Sequence, residues 1–191
     1  MKRFFGKFEY NAPVVLTFAL VATVVYLVTS LFPGIRTTFF VYYGGARPID
    51  ILRLFLSTVG HVSWEHLLGN LSMILLIGPI LEEKYSSKFL LLSMGVTTVL
   101  IGLTNSLLTG GGIIGASGIV FMMIIMISFT GGEDENDSKI PLTFILVALL
   151  YLSQQVYNGL FVQNNISELA HIVGGVSGVI MVHVYKYYWK K

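Results

Sequence analysis

The chain has 191 residues, of which 54% are hydrophobic and 12% are charged, whereas soluble domains contain about 25% charged residues. This composition excludes an ordinary soluble domain, and the length allows a single domain. A net charge of +2 does not indicate a nucleic-acid partner, and the absence of cysteine excludes disulfides. The long uncharged runs predict an all-α membrane bundle.

A membrane-spanning helix needs about 20 apolar residues, and the apolar runs predict six such helices. The predicted spans cover residues 12–32, 63–82, 88–108, 115–131, 140–159 and 168–187. The first run is long and no cleavage pattern follows it, which favours a membrane helix over a secretory signal. The uncharged stretch 89–130 is too long for one span, and the glycine triplet 110–112 divides it. Residues 1–191 therefore form one predicted domain with short tails at about 1–11 and 188–191.

The connection 33–60 between the first two predicted spans is long for a membrane hairpin. It mixes glycine and proline with aromatic residues, which suit the membrane interface. We expect a structured, partly submerged loop.

The distribution of lysine and arginine predicts the orientation. With the N-terminus in the cytoplasm, nine basic residues lie on the inner side: Lys2, Arg3, Lys7, Lys84, Lys88, Lys139, Lys186, Lys190 and Lys191. Three lie on the outer side, which are Arg36, Arg47 and Arg53. We therefore expect a multi-pass protein of the cell membrane with both termini in the cytoplasm. This topology directs most polar groups of the spans to the outer half, whereas His183 falls toward the inner half.

Ser117 lies at the predicted start of the fourth span, after Gly115 and before Gly118. Glycine permits a sharp turn and a close approach of other backbone. The unpaired N–H groups of a helix N-terminus would stabilise the negative oxygen of a tetrahedral intermediate. Small residues that merely permit helix packing are the alternative, and the motif alone favours it.

His171 lies near the start of the sixth predicted span and is followed by Gly174 and Gly178. This glycine spacing would let the helix touch a neighbour at close range, and the small residues of the fourth span make it the natural neighbour. The contact would bring His171 within hydrogen-bond distance of Ser117, as a general base requires. A histidine bonded to a carbonyl for packing is the alternative.

A third polar group begins the second predicted span. His66 and Asn70 are four residues apart, so they share one helix face. An imidazole and an amide pointing the same way supply two donors for an oxyanion, although an interhelical hydrogen-bond pair would also explain them. His61 precedes the helix and is a candidate supporting residue of this site, with a role that only anchors the loop at the membrane interface as the alternative.

Together these patterns resemble the rhomboid family of intramembrane serine proteases. The family's G-x-S-G and A-H-x-x-G-x-x-x-G motifs match residues 115–118 and 170–178, and its H-x-x-x-x-H-x-x-x-N motif begins at His61. The resemblance implies a catalytic dyad of Ser117 and His171. It also implies an oxyanion hole formed by the Ser117 N–H with the side chains that match His66 and Asn70. It covers about residues 12–187.

Several other positions match the family or depart from it. Its first-loop Trp-Arg pair reads Leu52-Arg53 here, so the arginine is kept and the tryptophan is lost. The glutamate that ends the family's second helix looks like Glu82. A tyrosine that often packs on the histidine is Phe121 here, which keeps the ring and should keep the packing.

Glu168 lies three residues before His171, on the same helix face. It could orient the imidazole like the acid of a triad. A favourable acid in the first turn of the helix is the alternative, and we favour it.

The resemblance implies an endopeptidase that cleaves transmembrane segments of single-pass membrane proteins, in contact with the lipid bilayer and opening to the outer face. The chemistry requires no metal or organic cofactor. The family also implies a gate that includes the fifth helix, with polar loops near Thr109 and at 164–165 as cavity walls. One alternative is an inactive rhomboid-like protein that binds membrane clients. The other is a small transporter or channel, but inner segments such as 122–127 supply almost no polar groups. The sequence leaves the oligomeric state open.

Overall fold

The computed structural model describes residues 9–130 and 168–190, together with seven positions between them: 142, 143, 145, 146, 149, 150 and 153. Its continuous segments form seven α-helices: α1 (Pro13–Leu31), α2 (Pro33–Phe39), α3 (Pro48–Ser57), α4 (Trp64–Tyr85), α5 (Ser87–Leu108), α6 (Ser117–Ser128) and α7 (Glu168–Val184). A π-helical turn, Tyr185–Trp189, continues α7.

Four of the described helices are long and apolar enough to cross a bilayer, namely α1, α4, α5 and α7 with its π-helical turn. They agree within a few residues with the predicted spans 12–32, 63–82, 88–108 and 168–187. The predicted fifth span, 140–159, lies largely outside the described residues, and the described positions within it are helical and exposed. The count of six spans therefore stays a prediction.

The fourth predicted span, 115–131, also agrees within a few residues at each end, but α6 is shorter and contains only 12 residues. At 1.5 Å per residue such a helix is about 18 Å long, short of the roughly 30 Å hydrocarbon core of a bilayer. Gly115, at φ +120°, cannot belong to a right-handed helix, so α6 starts two residues later than predicted.

Glu82 connects α4 to the beginning of α1. The first turn of α1 contains no acidic residue of its own. Instead, the two carboxylate oxygens of Glu82 accept hydrogen bonds from the backbone N–H groups of Val14 at 2.9 Å and Val15 at 3.0 Å. Glu82 is buried, and a negative charge at a helix N-terminus is favourable. The start of α1 is therefore held beside the end of α4.

Helix α6 lies at the centre of the bundle. It packs on α4, α5 and α7, and Met122, Met123 and Met126 are fully buried. A helix that is apolar on all sides is stable only when it is surrounded. The central position fixes the N-terminus of α6 relative to its three neighbours.

The connection 33–63 contains α2 and α3 and packs against the loop that precedes α6. Tyr42 pairs through its backbone with Ile113 in an isolated antiparallel bridge. The N–H of Gly115 donates to the carbonyl of Ser57 at 2.8 Å. Two non-helical segments that are distant in sequence thus hold each other beside the start of α6.

Candidate active site

Ser117 is the first residue of α6, and Ala116 occupies the N-cap position without a side-chain hydrogen bond. The glycine at position 115 is required on two grounds. Its positive φ disfavours other residues, and a Cβ there would lie 2.5 Å from Cε1 of His66. The turn therefore delivers Ser117 at the helix N-terminus while the His66 ring lies against the backbone two residues earlier.

His171 lies in α7 and is 8% exposed. Its Nε2 is 2.8 Å from Oγ of Ser117, which is hydrogen-bond distance. The ring of Phe121 stacks on the imidazole, with centroids 4.4 Å apart and planes at 4°. The predicted packing of Phe121 is confirmed, and the flat contact restricts the imidazole to one plane.

Three glycines let α6 and α7 approach closely enough for this hydrogen bond. A Cβ on Gly174 would overlap the carbonyl oxygen of Gly118 in α6. A Cβ on Gly178 would lie 2.6 Å from the carbonyl oxygen of Met122. The predicted pairing of these helices through small residues is confirmed, with one correction. Gly118 provides the contact on α6, whereas Gly115 faces His66 instead.

Asn70 and His61 form a buried pair beside the dyad. Asn70 is 6% exposed and His61 is fully buried, and Nδ2 of Asn70 is 3.0 Å from Nε2 of His61. The His61 and His66 rings meet edge to face, with centroids 5.0 Å apart. The alternative that His61 only anchors the loop at the membrane interface is therefore wrong, because its buried ring contacts the two predicted oxyanion donors.

Glu168 begins α7, one turn before His171. Its Oε1 is buried and has no hydrogen-bond partner among the described residues. That oxygen therefore does not hold the imidazole as the acid of a triad would. The predicted cavity-wall loop at 164–165 lies outside the described residues.

Arg53 supports the connection before α4 and lies apart from the dyad. Its Nε donates to the carbonyl of Thr38 at 2.7 Å, and its Nη1 is 3.4 Å from Oδ1 of Asp50. Asp50 also pairs with Arg47 at 2.7 Å, and this hydrogen bond holds the pKa of the Asp50 carboxyl below its usual value. Arg53, which matches the arginine of the family's first-loop pair, thus stabilises the connection between α1 and α4.

The sequence did not reveal how the polar residues before α4 are connected. His61 lies outside any helix, so periodicity carries no information about its burial or its partner. The contacts of Ser57 and Tyr42 with the loop before α6 are equally non-local. Within the described part of the chain no group of His, Asp and Glu could hold a metal ion.

Two comparisons with known proteins bear on this arrangement. A family model described as the rhomboid domain matches residues 48–188, which include every polar residue of the site. The chain is also similar to the rhomboid protease GlpG of Haemophilus influenzae, with 24% identity over 131 residues. That alignment covers 69% of this chain and 68% of the relative.

Proposed function

The chain belongs to the rhomboid family, and on that premise we propose that it is an intramembrane serine endopeptidase with a dyad of Ser117 and His171. The observation that carries the proposal is the 2.8 Å contact between Ser117 Oγ and His171 Nε2. A serine hydroxyl is a weak nucleophile until an adjacent base can accept its proton.

The first step is acylation. A neutral imidazole with its proton on Nδ1 accepts the hydroxyl proton of Ser117 at Nε2 while Oγ attacks the scissile carbonyl. The resulting imidazolium then protonates the leaving amine, which breaks the peptide bond and leaves an acyl-serine. Stacking on Phe121 favours this step, because a ring held in one plane keeps Nε2 directed at Oγ.

The oxyanion of the tetrahedral intermediate needs preorganised donors. The backbone N–H of Ser117 is one of the first four of α6, which have no partner within the helix. Nε2 of His66 and the amide of Asn70 are the other proposed donors. The contact of His66 with the Gly115 backbone supports this role, since it brings the ring to the turn that carries the nucleophile.

The second step is hydrolysis of the acyl-serine by water, activated by His171, and it requires a site that water can enter within the membrane. The length of α6 supports such a site. Lys84, on the proposed inner side, donates to the carbonyl of Thr130 just beyond the end of α6. A helix of about 18 Å from that end would put Ser117 about 12 Å below the outer surface of a roughly 30 Å core. The outer half of the bilayer would then contain loop and polar side chains, which can admit water.

The proposed substrates are single-pass membrane proteins that are cut within or near their transmembrane segments. A helical peptide bond hides its carbonyl in backbone hydrogen bonds, so a substrate must unwind locally before Ser117 can attack. This requirement favours small or helix-weakening residues at the cleavage site. The proposed orientation has both termini in the cytoplasm and the site open to the outer face.

The test combines a fluorophosphonate probe with cleavage of a generic transmembrane substrate in detergent. Wild type should be labelled and should cleave, whereas Ser117→Ala should do neither. Ser128→Ala is the matched control, because Ser128 lies on the same helix and, among the described residues, its hydroxyl donates to the carbonyl of Ile124. Labelling and cleavage that persist in Ser117→Ala would refute the dyad. A folded wild-type protein that is neither labelled nor active would instead indicate an inactive client-binding relative.

A further inference from the structure

His61 has no role in the proposed mechanism, yet it is the most completely buried ionisable side chain beside the dyad. It lies between α3 and α4 and has no exposed surface. Both ring nitrogens have polar neighbours, with Nε2 at 3.0 Å from Nδ2 of Asn70 and Nδ1 at 3.3 Å from the carbonyl oxygen of Val59. A buried ring with two polar contacts in different directions has little freedom to rotate.

These contacts determine the protonation state of the ring. A carbonyl oxygen only accepts hydrogen bonds, so Nδ1 of His61, which faces the carbonyl of Val59, must carry a proton. An amide nitrogen only donates, so Nε2 of His61, which faces Nδ2 of Asn70, must be unprotonated. Only the neutral tautomer with the proton on Nδ1 satisfies both contacts. The carbonyl of Val59 also determines which way the Asn70 side-chain amide is turned. It fixes the His61 proton on Nδ1, so Nε2 is an acceptor and must face the amide nitrogen of Asn70 and not its oxygen.

We infer that His61 is a positioning residue that fixes the amide of Asn70, and with it one donor of the oxyanion hole. This inference rests on the proposed function. An amide has two N–H groups in a rigid plane. When one donates to His61, the direction of the other is determined and can be used for an oxyanion. The edge of the His61 ring also packs on His66 at a centroid distance of 5.0 Å, so one side chain restrains both proposed donors.

Burial supports the neutral form, because it lowers the pKa of His61 to about 4. The nearby His66 imidazole acts in the same direction. At neutral pH the ring therefore keeps the acceptor that Asn70 needs.

Two amide substitutions at position 61 separate positioning from mere support. The oxygen of glutamine can occupy the place of Nε2, whereas the shorter asparagine reaches only the place of Nδ1. His61→Gln should retain most of the activity, because it preserves an acceptor for Asn70. His61→Asn should lower kcat by about 10²-fold with little change in KM, since a misplaced transition-state donor costs about that factor.

The measurements are kcat and KM for a transmembrane substrate, and the labelling rate of Ser117, in variants whose folded fraction is confirmed by thermal unfolding. A larger loss of kcat in His61→Asn than in His61→Gln, at similar folded fractions, supports positioning. Equal losses in both variants, or no loss in either, would overturn it.

A spectroscopic readout keeps this inference separate from the proposed function. In wild-type protein labelled with 15N-histidine, Nε2 of His61 should resonate as an unprotonated ring nitrogen and Nδ1 as a protonated one. This result is expected even if the protein cleaves nothing, in which case the proposed function alone fails. A protonated Nε2 at neutral pH would overturn the positioning role whatever the activity.

Discussion

Adding one methyl group at Gly174 should disable the site while leaving the polar residues unchanged. A Cβ at this position would overlap the carbonyl oxygen of Gly118 and lie 2.9 Å from its carbonyl carbon. Both atoms are backbone, so no side-chain rotation can relieve the clash. The adjacent Gly175 is the matched control, because its Cβ would meet its nearest neighbour, Cγ1 of Ile125, at an ordinary 3.7 Å.

The structure gives the size of the expected effect. Van der Waals contact requires at least about 3.4 Å between these atoms, so α6 and α7 must separate by up to about 1 Å in Gly174→Ala. Overpacking of this kind costs about 1–3 kcal/mol, partly offset by the roughly 0.5–1 kcal/mol that alanine gains over glycine within a helix. Lengthening the 2.8 Å contact between Ser117 and His171 by about 1 Å would lower the rate about 10²-fold. Gly175→Ala should gain the same helix propensity, and its Cβ meets no such overlap.

The assay is cleavage of a transmembrane substrate, together with thermal unfolding of each variant in detergent. Gly174→Ala should lose about 10²-fold in kcat while remaining mostly folded at the assay temperature, and Gly175→Ala should match wild type or be slightly more stable. Equal activity of the two variants would show that close contact of these helices does not set the dyad geometry.

Three further outcomes are expected. His171→Ala should abolish cleavage, whereas Glu168→Gln should keep substantial activity. Comparable losses from both, measured with the same substrate, would restore the triad interpretation. Stability should fall as the pH drops from about 6.5 to about 4, because the unfolded chain then binds a proton that native His61, with its lowered pKa of about 4, does not. The loss should approach roughly 3 kcal/mol, and unfolding midpoints of His61→Gln should lack this part of the pH dependence. A wild type with the same pH profile as the variant would contradict the assignment. Glu82→Gln should destabilise the protein by about 1–3 kcal/mol, because one of the two N–H groups that Glu82 caps at the start of α1 loses its acceptor. Unfolding midpoints measure this loss, and an unchanged midpoint would mean that Glu82 does not cap α1.

The sequence predicted well those features that depend on neighbours along one helix. The long apolar runs located α1, α4, α5 and α7, because a membrane helix must satisfy its own backbone over about 20 residues. The small residues of α6 and α7 predicted their pairing, since glycine has few other uses at that spacing. From that pairing followed the approach of His171 to Ser117.

Features that depend on contacts between loops were not predictable in the same way. The burial of His61 results from its bonds to Val59 and Asn70, and neither the spacing nor the composition of the sequence encodes that geometry. The true start of α6 depends on the positive φ of Gly115, which the glycine permits but does not require. The sequence therefore proposed the residues of the candidate site and left open how they are held.

The hydrogen bonding of the polar groups buried in the middle of the bundle bears on the alternative of a small transporter or channel. The structure adds hydroxyls that the sequence argument did not weigh, since Ser93, Thr97 and Ser177 are fully buried. Oγ of Ser177 is 2.6 Å from Oγ1 of Thr97, which donates to the carbonyl of Ser93, while the hydroxyl of Ser93 donates to the carbonyl of Phe89. These hydroxyls are thus engaged with the backbone or with each other. The Thr97–Ser177 bond joins α5 to α7, the other two bonds lie within α5, and hydroxyls engaged in this way serve helix packing rather than ion binding. A transport pathway would need polar groups with bonding capacity along the bundle. In the described residues, the three histidines of the candidate site, His61, His66 and His171, instead lie near the starts of α4 and α7.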